Sequence, residues 1–251
     1  MYIKSNLIIF FIIIFLTKII SAEAYFDLSE NNIKINTDFN GKEIIIFGIL
    51  EEDKETILTI KGPIKDSKFQ DSKIQKKERI FGFWFNTKQI TYNNIPGIFF
   101  IASSANIEDI LPTSTIIKEE LSFDFLLENK LSQRNFISDI SLNDWKDNFV
   151  RLKKDKSLFK EYKVDKIENK LFQTKVFFPA ESMPGKYKVN VLQIKNNVVL
   201  NKKEKIIILA KSGVGSQIYA FANNNAAAYG FFVVIFAILS GFLAATLFRR
   251  Y

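Results

Sequence analysis

The chain contains no cysteine and no histidine. Without cysteine there is no disulfide, no thiolate nucleophile, no haem attachment through C-x-x-C-H and no lipid-bearing cysteine behind a signal. Without histidine the commonest general base near neutral pH and the commonest transition-metal ligand are both missing. Catalysis would have to run on carboxylates, Lys, Tyr or Ser, which argues against an enzyme and for a protein without cofactors. The phosphate-binding pattern G-x-x-x-x-G-K-[ST] is also absent, as is a strand followed by G-x-G-x-x-G. Gly213-Val214-Gly215 reads as linker, and the acidic pairs Glu51-Glu52 and Glu119-Glu120 lie in no EF-hand-like loop and read as solvated surface.

What is present is enough apolar material, 47% hydrophobic and 14% aromatic over 251 residues, to bury one sizeable core or two small ones. The net charge of +8 accompanies a general abundance of Lys, Asn, Ile and Phe, the bias of an AT-rich coding sequence. Away from the apolar ends, basic and acidic side chains are interspersed, so no basic stripe points to nucleic acid.

Charge is wholly missing from one long stretch. Residues 226–248 carry no charged side chain, and as a helix they reach about 34 Å, enough to cross a hydrocarbon core of about 30 Å. Arg249 and Arg250 follow. Flanking cations stay on the cytoplasmic side, so the C-terminus is expected in the cytoplasm and the preceding chain outside it, in the periplasm beside an inner membrane. Residues 1–24 read as a signal peptide: Lys4, a ten-residue apolar run over 7–16, and Ala22-Glu23-Ala24 as a small-x-small site cleaved after Ala22 or Ala24. An uncleaved first membrane helix is the rival reading, but Thr17 and Lys18 arrive too early for it.

Between these ends the pattern is mainly β. An N-terminal β domain over 25–104 is expected to hold strands at 32–36, 43–47, 57–61, 79–86 and 98–102, with turns at Asn40-Gly41 and Gly62-Pro63. The fourth of these is apolar on both faces, with Phe81, Phe83 and Phe85 on one side and Ile80 and Trp84 on the other, which predicts a central, covered strand. Trp84 is accordingly read as core, with an aromatic contact for a ligand beside Arg79 as the alternative. A bridge over 105–164 carries a short turn of helix before Pro112 and an amphipathic helix over 141–162, capped by Ser141 and packed on a sheet through Trp145, Phe149, Leu152 and Phe159. A C-terminal β lobe over 165–210 holds strands at 171–178, 186–194 and 205–209, with a turn at Asn196-Asn197. The corner from Pro179 to Tyr187 matches the entry to a late strand of an immunoglobulin-like sandwich, where a tyrosine hydroxyl ties the corner to the backbone. Residues 211–225 read as a Gly/Ser/Asn-rich juxtamembrane linker. The expected architecture is an immunoglobulin-like β-sandwich with one bridging helix and a C-terminal transmembrane helix, ending in a tail at 249–251.

Within the span Ala237, Gly241 and Ala245 recur every four residues, flanked by Ser240 and Ala244. Such a smooth face lets another helix backbone approach closely, although small residues are also tolerated in lipid. Together with the bilayer, an integral membrane protein is therefore the expected partner.

Several short pieces, taken in order, resemble a family of transmembrane proteins of alphaproteobacteria. They are Asp27-Leu28-Ser29, Phe39-x-Gly41, Phe47-Gly48, Lys61-Gly62-Pro63, Lys77-Glu78-Arg79, Gly82-x-Trp84-x-Asn86 and Pro96 leading to Ala102-Ser103-Ser104. Arg151-Leu152-Lys153, Leu171-Phe172, Pro184-x-x-Tyr187, Tyr229-Gly230 and Arg249-Arg250 complete the series. The resemblance implies an inner-membrane protein with a periplasmic domain, sometimes encoded near permeases of the sulfite-exporter type. It brings no catalytic residues with it. The expected role is thus a non-enzymatic accessory or scaffold subunit, with a periplasmic module for a small anion or envelope polymer, using Arg79 and Trp84, as the alternative.

Overall fold

The computed structural model describes residues 26–50, 54–66, 68–136, 142–168 and 170–248. The leader expected at 1–24, Glu51-Glu52, the cap Ser141 and the tail residues Arg249 and Arg250 lie outside the described residues.

Strands β1 (Phe26–Leu28), β3 (Lys42–Ile49), β11 (Leu171–Phe178) and β10 (Asp165–Ile167) pair in that order into an antiparallel sheet. A larger sheet runs β2 (Asn32–Ile35), β13 (Val198–Lys211), β12 (Gly185–Lys195), β4 (Glu55–Ile64), β7 (Ile98–Ser103) and β9 (Phe159–Lys163), with parallel contacts at β2/β13 and β7/β9. The strands of 25–104 and of 165–210 interleave in both sheets. β3 pairs with β11 from Lys42↔Phe178 to Ile49↔Leu171, and β4 pairs with β12 from Glu55↔Ile194 to Ile64↔Lys186.

The sheets face each other because alternation puts one apolar row of each strand inward. Ile44 and Ile46 of β3 and Phe172, Val176 and Phe178 of β11 meet Leu58, Ile60, Phe100, Val189 and Val191 of the larger sheet in a closed core. Within it the buried Gln193 donates from Nε2 to the carbonyl of Ile49 at 3.0 Å, a direct polar tie between the sheets. β4 is buried from Thr56 to Pro63 on both faces. A second core explains this: Ile57, Phe99, Ile101, Leu192 and Ile194 point to the other side of the larger sheet, where helices cover them.

That cover consists of α1 (Ile107–Ile110), α2 (Thr113–Lys118), α3 (Phe123–Leu126) and α4 (Leu142–Asp155). The long helix is shorter than the expected 141–162. Ser157 takes φ +54° and closes the helix end through its N–H to the carbonyl of Lys154 at 2.8 Å, as left-handed residues do at helix C-termini. The chain then extends, so Phe159 belongs to β9 and meets Phe99 and Phe123 edge-on and stacked, respectively. The packed stripe of α4 is Trp145, Phe149 and Val150, while Leu152 is exposed.

At the corner before β12, the Tyr187 hydroxyl donates to the carbonyl of Met183 at 2.6 Å, the tie expected from the sequence, and burial raises its pKa. Gly62 is required there: a Cβ on it would stand 2.5 Å from the Tyr187 ring.

A third sheet, β5 (Ser72–Ile80), β6 (Phe83–Tyr92) and β8 (Leu131–Arg134), departs from the expectation most. The stretch 79–86 is not one covered strand but the end of a hairpin, with Ile80 opposite Phe83 and the chain reversing through Phe81 (φ +49°) and Gly82 (φ +87°). Positive φ at both central residues is what a tight two-residue hairpin turn demands.

Beyond β13, the expected linker is partly a helix, α5 (Val214–Asn224), followed by the apolar α6 (Ala226–Phe248). Asn225 separates them with φ −136° and ψ 54°. Among the described residues the chain is mainly β, with one helix, at the C-terminal side, long and apolar enough to cross a membrane.

Candidate interaction surfaces

The hairpin tip brings Arg79 and Trp84 together as a directly opposed cross-strand pair. The Arg79 guanidinium is turned back by a bond from Nε to the Gly82 carbonyl at 3.3 Å. Trp84 is 68% exposed and Phe81 97% exposed, which overturns the reading of Trp84 as core. Ile80, Phe83 and Phe85 are exposed as well. The turn at Phe81-Gly82 cancels the simple alternation of a single strand: Ile80 and Phe83 now share one face, Arg79 and Trp84 the other.

The inner half of the same hairpin is held firmly. Ile74, Ile90 and Tyr92 are buried in the second core, where the Tyr92 ring meets Phe149 edge-on at 5.4 Å. Among the described residues β8 pairs with Ile90, Thr91 and Tyr92 of β6, with Asn135 bonded to Gln89 just beyond, so the outer half of the hairpin is a two-stranded ribbon. A cleft of about 350 Å³ lies between β5 and α4, where Lys76, Lys77, Asn148 and Arg151 converge with Asp144 above Trp145.

On α6, Ala237, Ser240, Gly241, Ala244 and Ala245 are all exposed, and open space surrounds the position a Gly241 Cβ would take. At about 100° per residue these five occupy an arc of about 140°. At its start α6 is met by α5, whose Phe221 ring lies 6.2 Å from both Tyr229 and Phe232. Ile218 and Tyr219 remain exposed, an arrangement suited to a membrane–water boundary.

The acidic pair after α2 is ion-paired rather than simply solvated. Glu120 binds Lys61 at 3.0 Å and Lys130 at 2.5 Å, and Glu119 binds Lys202 at 2.5 Å. Lys61 leaves β4 on the helical side, its ammonium 4.6 Å above the Phe99 ring. Burial lowers the Lys61 pKa, partly offset by the Glu120 charge. Burial also pushes Glu120 up, but Lys61 and Lys130 outweigh it and hold the carboxyl below its usual range. This cluster borders the second core at Phe99 and lines a cleft of about 850 Å³ with Lys186, Lys188 and Glu204.

The five small residues expected as a helix contact share one exposed arc of α6, and Arg79 stands opposite Trp84. The exposure of the hairpin and the convergence of Lys76, Lys77 and Arg151 are not legible in the sequence, since the cleft depends on how α4 lies along β5. No curated protein and no solved structure matches the chain. The sequence profile of the family described as "Putative transmembrane protein (Alph_Pro_TM)" matches residues 23–250, and the chain belongs to that family.

Proposed function

We propose that the protein is a non-enzymatic accessory or scaffold subunit of an inner-membrane complex, with its β-rich part periplasmic and its C-terminus cytoplasmic. The observation that carries the reading is α6: a single uncharged span with a smooth small-residue face that nothing in the described chain covers. Close backbone approach along Ala237, Gly241 and Ala245 suits an integral membrane partner, and an anion exporter of the sulfite type is the proposed one. Arg249 and Arg250 support the orientation. The strand orders β1-β3-β11-β10 and β2-β13-β12-β4-β7, with the Tyr187 corner, support an immunoglobulin-like reading of the sandwich.

Gly241→Leu fills the smooth face without adding charge. Affinity purification of the tagged full-length protein in mild detergent is expected to recover a stoichiometric membrane partner from the native chain and much less from the variant. Equal recovery at equal expression would sink the reading.

A second reading, a module that captures a small anion, is favoured by the cleft between β5 and α4 with its three cations. It predicts that sulfite or phosphate stabilises the full-length protein by about 2.7 kcal/mol at a hundred times the dissociation constant, and that Arg151→Gln abolishes the effect. No shift in melting with either anion counts against it.

A further inference from the structure

We propose that the tip of the β5–β6 ribbon seats in the headgroup region of the bilayer that holds α6, on the domain's own side, with anionic lipid as its preferred surface. The inference rests on the hairpin and on the span, not on any partner of α6.

The first support is composition in place. Ile80, Phe81, Phe83, Trp84 and Phe85 crowd the last turn of the ribbon and are all exposed, a concentration of apolar surface that a solvated loop tip does not need. Aromatic rings gather at membrane–water interfaces because each presents an apolar body beside polar headgroups. Phe81 adds a second sign. Left-handed backbone is uncommon for a bulky residue, and Gly or Asn would make this turn more easily; here an aromatic occupies φ +49° at the outermost position.

Charge is the second support. Behind the tip stand Lys76, Lys77, Arg79 and Lys88 against one carboxylate, Glu78, which binds Lys76 at 2.9 Å. A cationic collar behind an apolar tip is complementary to anionic headgroups, whose surface potential attracts Lys and Arg lying close to it.

Reach is the third. Ile64, Lys186 and Ile208 stand in one row across β4, β12 and β13. β13 leaves that end of the sheet for α5 and the span, and the chain passes from β4 to β5, and from β6 back to β7 at Ile98↔Gly62, at the same end. The root of the ribbon and the exit toward the span therefore lie at the same end of the sheet. The spacer α5 is 11 residues, about 16 Å even if fully upright. The 9 residues of β5 extend about 26 Å. Tethering through α5 keeps this bilayer permanently close to that end of the domain.

The test uses the full-length chain in proteoliposomes. Trp145→Phe leaves Trp84 as the one tryptophan. With phosphatidylglycerol and lipids brominated near the headgroup, Trp84 emission is expected to be blue-shifted and mostly quenched, and Lys77→Gln with Arg79→Gln to reverse much of both. Emission at the water-exposed wavelength, open to acrylamide and untouched by brominated lipid, would overturn the proposal. So would protection that appears only at high protein density, which would assign the tip to a second copy. Equal quenching in pure phosphatidylcholine overturns the preference for anionic lipid. If Trp145→Phe does not fold, the difference between the native chain and Trp84→Phe gives the same reading, because buried Trp145 is inert to the lipid quencher.

Discussion

Tyr187 and Glu120 are small, well-placed polar groups on which the two cores close. The Tyr187 hydroxyl satisfies the Met183 carbonyl inside a corner whose packing leaves no room even for a methyl group on Gly62. Tyr187→Phe keeps the ring and orphans that carbonyl, an expected loss of about 1–2 kcal/mol in the denaturant midpoint of the detergent-solubilised protein. Glu120 matters because Lys61, its side chain 9% exposed, has little access to water as a substitute. Fully buried pairs lose roughly 3–5 kcal/mol when one partner is removed, and the partial exposure of Glu120 brings the expected cost of Glu120→Gln to about 2 kcal/mol. The sign with pH follows from its depressed pKa. The unfolded chain takes up a proton first as the medium acidifies, so this stabilisation is present above the unfolded carboxylate value and is lost as pH falls through the lower folded one. Glu120→Gln is expected to flatten that part of the acid limb in a melting-temperature profile.

Elements show where the sequence speaks and where it is silent. β11 was legible residue for residue, since Phe172, Thr174, Val176 and Phe178 alternate with outward side chains, and Asn196-Asn197 turned with positive φ as Asn-rich turns do. α6 was legible because 23 residues without a charge are long and apolar enough to cross a membrane as one helix. The Phe81-Gly82 reversal was not, because an aromatic run with a lone Gly has the composition of a covered strand and carries no polar turn residue. β5 was hidden for the opposite reason. Its Lys and Glu are spaced for solvent, and its pairing comes from β6 and its burial from α4. α5 escaped notice because Gly, Ser and Asn weigh against a helix that is formed beside α6. The ribbon tip contributes little to either core, so replacing 78–85 by a shorter Asn-Gly hairpin is expected to change stability by no more than about 0.5 kcal/mol. A large drop in the unfolding midpoint would show that the aromatic tip is part of the folding core.

At the scale of the molecule, both sheets are built from strands far apart in the chain, with β3 against β11 and β4 against β12. The segment 25–104 therefore carries only part of each sheet and leaves edges such as β3 and β4 without their long antiparallel partners. Expressed alone, it is expected to give neither dispersed amide resonances nor a cooperative melt; a folded fragment would contradict the shared-core description. The candidate surfaces were only half legible at this scale. The α6 face is written in four-residue spacing, whereas the hairpin and the cleft beside α4 arise from where distant segments are carried.

The strand that leads to the membrane is paired on both of its sides within the sheet. β13 lies between β12, with eleven opposed residues, and β2, which runs parallel to it. A pull on the span, whether from membrane tension or from a moving partner, enters β13 along its own axis. Its backbone bonds are then loaded side by side in shear and must yield together, whereas a strand lifted from its end would release them one at a time. Force drawn along β13 is thus met by many backbone bonds at once, not by a single one at the strand's end.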